Sequence, residues 1–273
     1  MSFDALETSI ENGRPIYLYR FILNDKTWYY TSADHDIDAL GQTWIAVPIA
    51  DDGTKLTGEA VTDALSITAS TEIEPAKIYM HYPPSRPIQV AILRLNDGNS
   101  DSKTVYMGEI TQVNVATPGT ATITCETLSA TMNRDGLRLG WQRSCPYALY
   151  DPLTCRVDKW AWAIPAVIDD IIEDQLICSA LAGQDDHRFA GGFIEWTDPV
   201  RGVERRALEN SNSLGTIVIF GTTDGLEVGM NITVFPGCTR TTASCNKFNN
   251  MLNYGGIPAL QGKSPFDGDP IFY

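Results

Sequence analysis

Positive charge is scarce in this sequence. Lys and Arg together number 20 against 34 Asp and Glu, a formal net charge of −14 over 273 residues. Nucleic-acid binding relies on clustered cations that displace phosphate counterions, so no specific nucleic-acid binding is expected, and passing DNA would be repelled. Histidine is rarer still: His35, His81 and His187 are scattered along the chain. Neither G-x-S-x-G nor H-E-x-x-H occurs, which excludes the hydrolases and zinc proteases that carry those motifs. No apolar run reaches the roughly 18 residues of a membrane helix. The opening stretch, MSFDALETSIENGRP, has neither a basic nor an apolar segment, so no signal peptide is expected. The expectation is a soluble, non-enzymatic protein made in a cytosol.

What is present is a β pattern. The chain is 43% hydrophobic, 10% aromatic and 20% charged, enough apolar material for a sizeable core and two domains. RPIYLYRFIL (14–23) and KTWYYTS (26–32) are split by Asn24-Asp25, a hairpin signature. Further strand-like runs fall at 42–50, 63–70, 87–96, 104–116 and 120–128, separated by turn clusters. Short helices are expected at 74–82, stopped by Pro83 and Pro84, and at 129–140. The spacing predicts an antiparallel β-barrel or sandwich over residues 1–140. Strand 14–23 is apolar on both faces, which fits either a central, doubly covered strand or a face packed on another subunit.

After Cys155 the pattern restarts. Strand-like runs at 160–172, 175–181, 191–198, 203–210, 215–221 and 230–237 form a small β domain, about 157–237, inserted in a C-terminal region that spans 141–273. Helical spacing follows in CNKFNNMLNY (245–254), and then a Gly- and Pro-rich tail.

The cysteines fall into two classes. Cys125 and Cys178 lie on apolar strand faces and read as small buried hydrophobes. Cys145, Cys155, Cys238 and Cys245 sit in turn-like segments rich in Pro, Gly, Asp and Thr, as two pairs with 82 residues between them. In a reducing cytosol, clustered cysteines are more often metal ligands than disulfides. Four thiolates are the number that zinc or an iron–sulfur cluster requires. The spacings, C-x9-C and C-x6-C, are wider than those usual for zinc. They leave independent thiols, zinc, an iron–sulfur cluster and disulfides all open. Other motif-like stretches fail: GGIPALQGKS (255–264) has the wrong glycine spacing for a phosphate loop, and DGNSDS (97–102) lacks the glycine of a calcium loop. DDHR (185–188) reads as a solvated loop.

Taken together, CPYALYDPLTCRVD (145–158), GGFIEW (191–196) and FPGCTRTTASCNKFNNMLNYGGIP (235–258) resemble a phage tail family. That family includes the lambda-like tail-tip L protein and the hub protein of gene transfer agents. The tail end of the pattern is Gly237-Cys238, Cys245, Phe248-Asn249-Asn250 and Tyr254-Gly255-Gly256-Ile257-Pro258. MGEITQVN (107–114) and CETLSATMNRD (125–135) extend the likeness upstream, so that it covers about residues 104–260. The resemblance implies a homotrimeric hub at the virion tail tip, assembled in the bacterial host cytoplasm. Such a hub joins the distal tail protein to the central tip or fibre protein. It also implies a structural [4Fe–4S] cluster on Cys145, Cys155, Cys238 and Cys245. The alternatives are a zinc-stabilised β interaction module of another assembly and a cell-wall-acting hydrolase. The segment between the cysteine pairs is longer here than in the lambda-type protein. If the ring encloses a channel, the acidic balance predicts a DNA-repelling lumen.

Overall fold

The computed structural model of the chain describes residues 14–53, 64–96, 101–127 and 139–260. The expected helix at 129–140 and the end of the Gly- and Pro-rich tail fall almost wholly outside these residues. Contacts divide the chain into two compact units: Met1–Arg134 with Thr197–Glu204, and Asp135–Trp196 with Arg205–Tyr273. Each is mainly β.

The first unit is built on a nine-stranded sheet. In chain order its strands are β1 (Pro15–Leu23), β2 (Lys26–Thr31), β3 (Ile37–Ala39), β4 (Gln42–Ala46), β5 (Ile49–Asp51), β6 (Leu65–Ser70), β7 (Gln89–Asn96), β8 (Ser102–Thr117) and β9 (Thr120–Thr127). Their order across the sheet is β3-β4-β2-β1-β7-β8-β9-β6-β5. Every described pairing is antiparallel except β2 with β4, which is parallel through Tyr30↔Ile45 and Thr31↔Ala46. Asn24 turns the β1–β2 hairpin at φ 54°, a left-handed conformation that asparagine tolerates.

β1 is central: it pairs with β2 on one side and β7 on the other. Its two faces enter different cores. Tyr19, Phe21 and Leu23 join the main core with Ile67, Ile92, Ile110 and Ile123, while Leu18 packs with Trp44 and Leu95. The double covering explains why the strand does not alternate polar and apolar residues. Helix α1 (Glu74–His81) closes one face, burying Ala76 and Ile78, and Tyr79 donates its hydroxyl to the Ile110 carbonyl at 2.9 Å. It ends before Pro83-Pro84, as expected.

The second sheet, which belongs to the second unit except for Thr197–Glu204, has seven strands: β10 (Ile164–Val167), β11 (Asp170–Ile172), β12 (Gln175–Ile177), β13 (Phe193–Asp198), β14 (Gly202–Ser211), β15 (Thr216–Ile219) and β16 (Asn231–Phe235). Their order is β10-β16-β13-β14-β15-β12-β11. Leu176, Leu181, Phe189, Ile194, Ile217 and Val234 are fully buried in its core. The run 160–172 is not one strand. Asp158 accepts the Trp160 N–H at 3.0 Å and winds Trp160–Trp162 into a 3-10 turn before β10 begins. A second helix, α2 (Thr242–Lys247), starts three residues earlier and is shorter than the 245–254 spacing indicates. Thr241 caps it by accepting the Ser244 N–H at 3.2 Å, and Asn249 ends it at φ 52°. Among the described residues no helix is long and apolar enough to cross a membrane.

Candidate functional site

All six cysteines are free thiols, in two surroundings. Cys125 and Cys178 have no exposure and belong to the two main cores. Burial pushes their thiols up to about 12 and about 11. They are small apolar fillers, as their strand faces indicate.

Cys145, Cys155, Cys238 and Cys245 lie in the second unit and line one cavity of about 90 Å³. Two chain segments build it. The first, irregular between residues 139 and 159, carries Cys145 and Cys155; the second leaves β16 and enters α2, carrying Cys238 and Cys245. Backbone contacts tie them together. The Cys145 N–H donates to the Arg240 carbonyl at 2.9 Å, and the Tyr254 hydroxyl reaches the carbonyls of Arg143 at 2.8 Å and Arg240 at 3.2 Å. Asn250 crosses from the second segment to the Cys155 carbonyl at 2.6 Å.

The backbone around the sulfurs is unusual. Tyr150, Arg156, Arg240 and Asn249 all take positive φ, between 52° and 67°, without being glycine. Each such residue costs roughly 1–2 kcal/mol, so the surrounding contacts hold these loops in a shape the chain alone would not choose. At Arg240 the consequence is visible: its N–H points back to the Cys238 sulfur at 3.3 Å, where the Ser244 hydroxyl also donates at 3.4 Å. Gly255 and Gly256 serve close approach and not a left-handed turn. A Cβ at Gly255 would lie 2.3 Å from the Tyr147 ring, and one at Gly256 2.5 Å from the Arg143 carbonyl.

Aromatic rings back the cavity. Phe248 meets Tyr150 at 6.2 Å and Trp162 at 4.9 Å, both edge-on. Tyr150 also anchors to the Pro236 carbonyl at 2.8 Å. Burial raises the Tyr150 phenol well above its usual range. Cys245 is raised first by burial, then by the neighbouring charges of Cys238, Cys145 and Cys155. That mutual repulsion is what a bound cation or cationic cluster core would relieve.

The donor set is sulfur alone, since the lining contains no His, Asp or Glu. Arg240 sits on the wall, and N–H and O–H groups point at Cys238 and Cys155. Among the described residues, no group of three or more His, Cys, Asp or Glu is drawn together in a way that could hold a metal ion. The four cysteines surround a space instead of converging on a point, with Cys245 donating to the Asn250 carbonyl at 3.2 Å. The residue types fit a thiolate-ligated centre.

DDHR (185–188) contributes no residue to the lining of this cavity. His187 in DDHR bonds Asn210 at 2.6 Å, and Asp185 lies 3.5 Å from Lys247. His35 bonds its exposed neighbour Asp34 at 2.7 Å. Sequence reading did not single out Arg240 as a donor to sulfur: a backbone N–H leaves no mark in residue type. Asn250, noted only within the Phe248-Asn249-Asn250 pattern, joins both segments.

Comparison with known proteins adds three findings. The family described as "Phage conserved hypothetical protein BR0599" matches residues 187–264, which include Cys238, Cys245 and Asn250. An uncharacterized protein of Xylella fastidiosa (strain 9a5c) is 28% identical over 124 residues, 41% of this chain, and the chain spans 26% of that relative's length. A chain from the virion of a native gene transfer agent particle aligns with a TM-score of 0.79 at 16% identity, over 99% of this chain and 96% of that one. Over nearly its whole length, this chain therefore has the fold of a chain from a gene transfer agent virion.

Proposed function

We propose that this chain is a structural protein of a phage-type virion, acting as a hub at the tail tip. The observation that carries this reading is the fold likeness to a chain of a gene transfer agent virion, which spans 99% of the residues. The phage-family match over 187–264 supports it independently of shape. In this reading the chain closes a homotrimeric ring between the distal tail protein and the central tip or fibre protein, after assembly in the bacterial cytoplasm. Closed cyclic symmetry is what a ring requires. The net charge of −14 suits a lumen through which DNA slides without binding.

The same reading assigns a structural [4Fe–4S] cluster to Cys145, Cys155, Cys238 and Cys245. Its support is the meeting of all four in the lining of one cavity, free of His, Asp and Glu, from segments far apart in sequence. Four sulfur ligands leave no open position for a substrate, so the centre would act as a crosslink, contributing folding free energy directly where disulfides are unavailable. The chain's part is to bring the thiols together, to aim N–H groups at them, and to back them with aromatic rings.

Two measurements test the proposal. Protein purified without oxygen should contain about four irons and four acid-labile sulfides per chain and absorb broadly near ~400 nm. Cys238→Ser should lose them and Cys178→Ser should keep them. One zinc without iron would remove the cluster and keep the four-cysteine site. Independently, tagged chain expressed with the tail genes of its own phage should appear in purified particles at the tail tip. Absence from particles would sink the virion reading.

A further inference from the structure

We propose that Asn250 is the positioning residue of the cysteine site, holding Cys155 and Cys245 in one frame and giving a side-chain N–H to the Cys155 sulfur. Asn250 follows α2 and is 9% exposed. All its polar groups are engaged. Its side-chain Nδ2 donates to the Cys155 carbonyl at 2.6 Å and faces the Cys155 Sγ at 3.6 Å. Its Oδ1 accepts from Asn253 Nδ2 at 2.7 Å. Its backbone N–H donates to the Cys245 carbonyl at 3.2 Å, and its carbonyl accepts from the Cys245 thiol at 3.2 Å. One residue therefore contacts two cysteines, one of them 95 positions away in sequence.

The amide is suited to this task because Nδ2 carries two hydrogens in a fixed plane. One serves the carbonyl, and the other is free for the sulfur. Asn253 fixes the orientation by holding the amide oxygen, so the nitrogen must face Cys155. Aspartate has the same shape but no N–H. It would leave the Cys155 carbonyl without this donor and set negative charge against the sulfur. An N–H aimed at a ligand sulfur stabilises its negative charge and raises the potential of a thiolate-bound centre. Only this last consequence rests on the cluster reading; the frame itself does not.

The experiment has two arms, both on the full chain. In the first, wild type, Asn250→Asp and Asn253→Ala are reduced, treated with chelator and exposed to dibromobimane. In this reagent each thiolate displaces one bromide, joining two neighbouring sulfurs. Cross-linked peptides are then quantified by mass spectrometry. Wild type should yield a Cys155–Cys245 link. Asn250→Asp should lower its yield at least fivefold, and Asn253→Ala about twofold, with an unchanged circular dichroism spectrum. The Cys238–Cys245 link, within one segment, should be unaffected. Equal Cys155–Cys245 yields in all three proteins would overturn the proposal, whether or not any iron binds. If Asn250→Asp fails to fold, Asn253→Ala, which leaves Asn250 in place, decides. In the second arm the proteins are reconstituted anaerobically with iron and sulfide. Asn250→Asp should take up less than a third of the wild-type iron, and what remains should titrate at a lower midpoint potential. Equal loading and equal potential would remove the sulfur-donor role. Wild type that takes up no iron would sink the cluster reading and leave the first arm to judge the frame.

Discussion

Gly237 offers the sharpest test of how the cysteine segments are held. It lies between the end of β16 and Cys238, and its N–H donates to the Arg188 carbonyl at 3.1 Å. A Cβ at this position would stand 1.8 Å from the Ala190 carbonyl oxygen and 2.6 Å from the Gly192 nitrogen. Both obstacles are backbone, and both are pinned: Ala190 N–H bonds His187 O at 3.2 Å, and Gly192 N–H bonds Phe189 O at 2.9 Å. To accept Gly237→Ala, the two chains must part by at least about 1.2 Å, the gap between 1.8 Å and the 3.0 Å below which real Cβ contacts are essentially absent. Overpacking of this kind costs about 1–3 kcal/mol, and a lost backbone hydrogen bond adds roughly 1 kcal/mol. We expect about 3 kcal/mol in total, which at an m-value of about 2 kcal/mol/M lowers the urea midpoint by about 1.5 M. Gly140→Ala is the control, because nothing lies within 4 Å of its Cβ. It should be neutral or stabilising by up to about 1 kcal/mol through the unfolded chain. Midpoints that coincide for the two variants would refute the close-approach reasoning.

Other expectations follow from the charged groups. Glu204 is 2% exposed and accepts from the Ser85 N–H at 3.0 Å and its hydroxyl at 2.7 Å. Burial raises its pKa above the ordinary 4.5, outweighing the opposing pull of Ser85 and Arg201. The folded chain therefore holds this proton more tightly than the unfolded one. Its favourable contribution is complete below pH 4.5 and is lost as pH rises through the folded value. Glu204→Gln should flatten that part of the profile in urea titrations run between pH 4 and 7; an unchanged slope would contradict it. Glu195 is 6% exposed and takes Lys159 at 2.8 Å and Arg205 at 2.5 Å. Glu195→Ala should destabilise by about 3 kcal/mol, the lower end for a broken buried pair, because Arg205 keeps contact with water. A thermal melt that matches wild type would argue that the carboxylate contributes nothing net.

Much of the fold was legible where local signals and burial agree. The Asn24-Asp25 turn, the stop before Pro83 and the doubly apolar β1 all correspond to elements in place. β3 was not legible: at three residues it is too short to show a period, and it is held by the Trp44 indole bonding Ala39 O at 3.0 Å. The parallel β2–β4 pair is likewise a tertiary choice that no local pattern announces. Helix α2 carried a readable start in Thr241 and Ser244, which the apolar spacing of 245–254 obscured. At the cysteine site, the turn residues around Cys145, Cys155, Cys238 and Cys245 separated them from Cys125 and Cys178, and these four line one cavity. The frame around them was hidden because it is made of main-chain groups at Arg240 and of one asparagine among many.

The division of the chain into units also sets an order of events during synthesis. The first unit takes in Thr197–Glu204, so the ribosome must release β10 to β13 of the second sheet before Ser85 can meet Glu204 or the Ile78 carbonyl can meet Arg201. Domains usually fold as units, N-terminal first, but here the two are interleaved along the growing chain. Cys145 and Cys155 leave the ribosome first and wait for Cys238, which follows Cys155 by 83 positions, and then for Cys245. For that interval two thiols stand without their partners. The nascent protein is then most open to oxidation, because accessible thiols without partners react most readily.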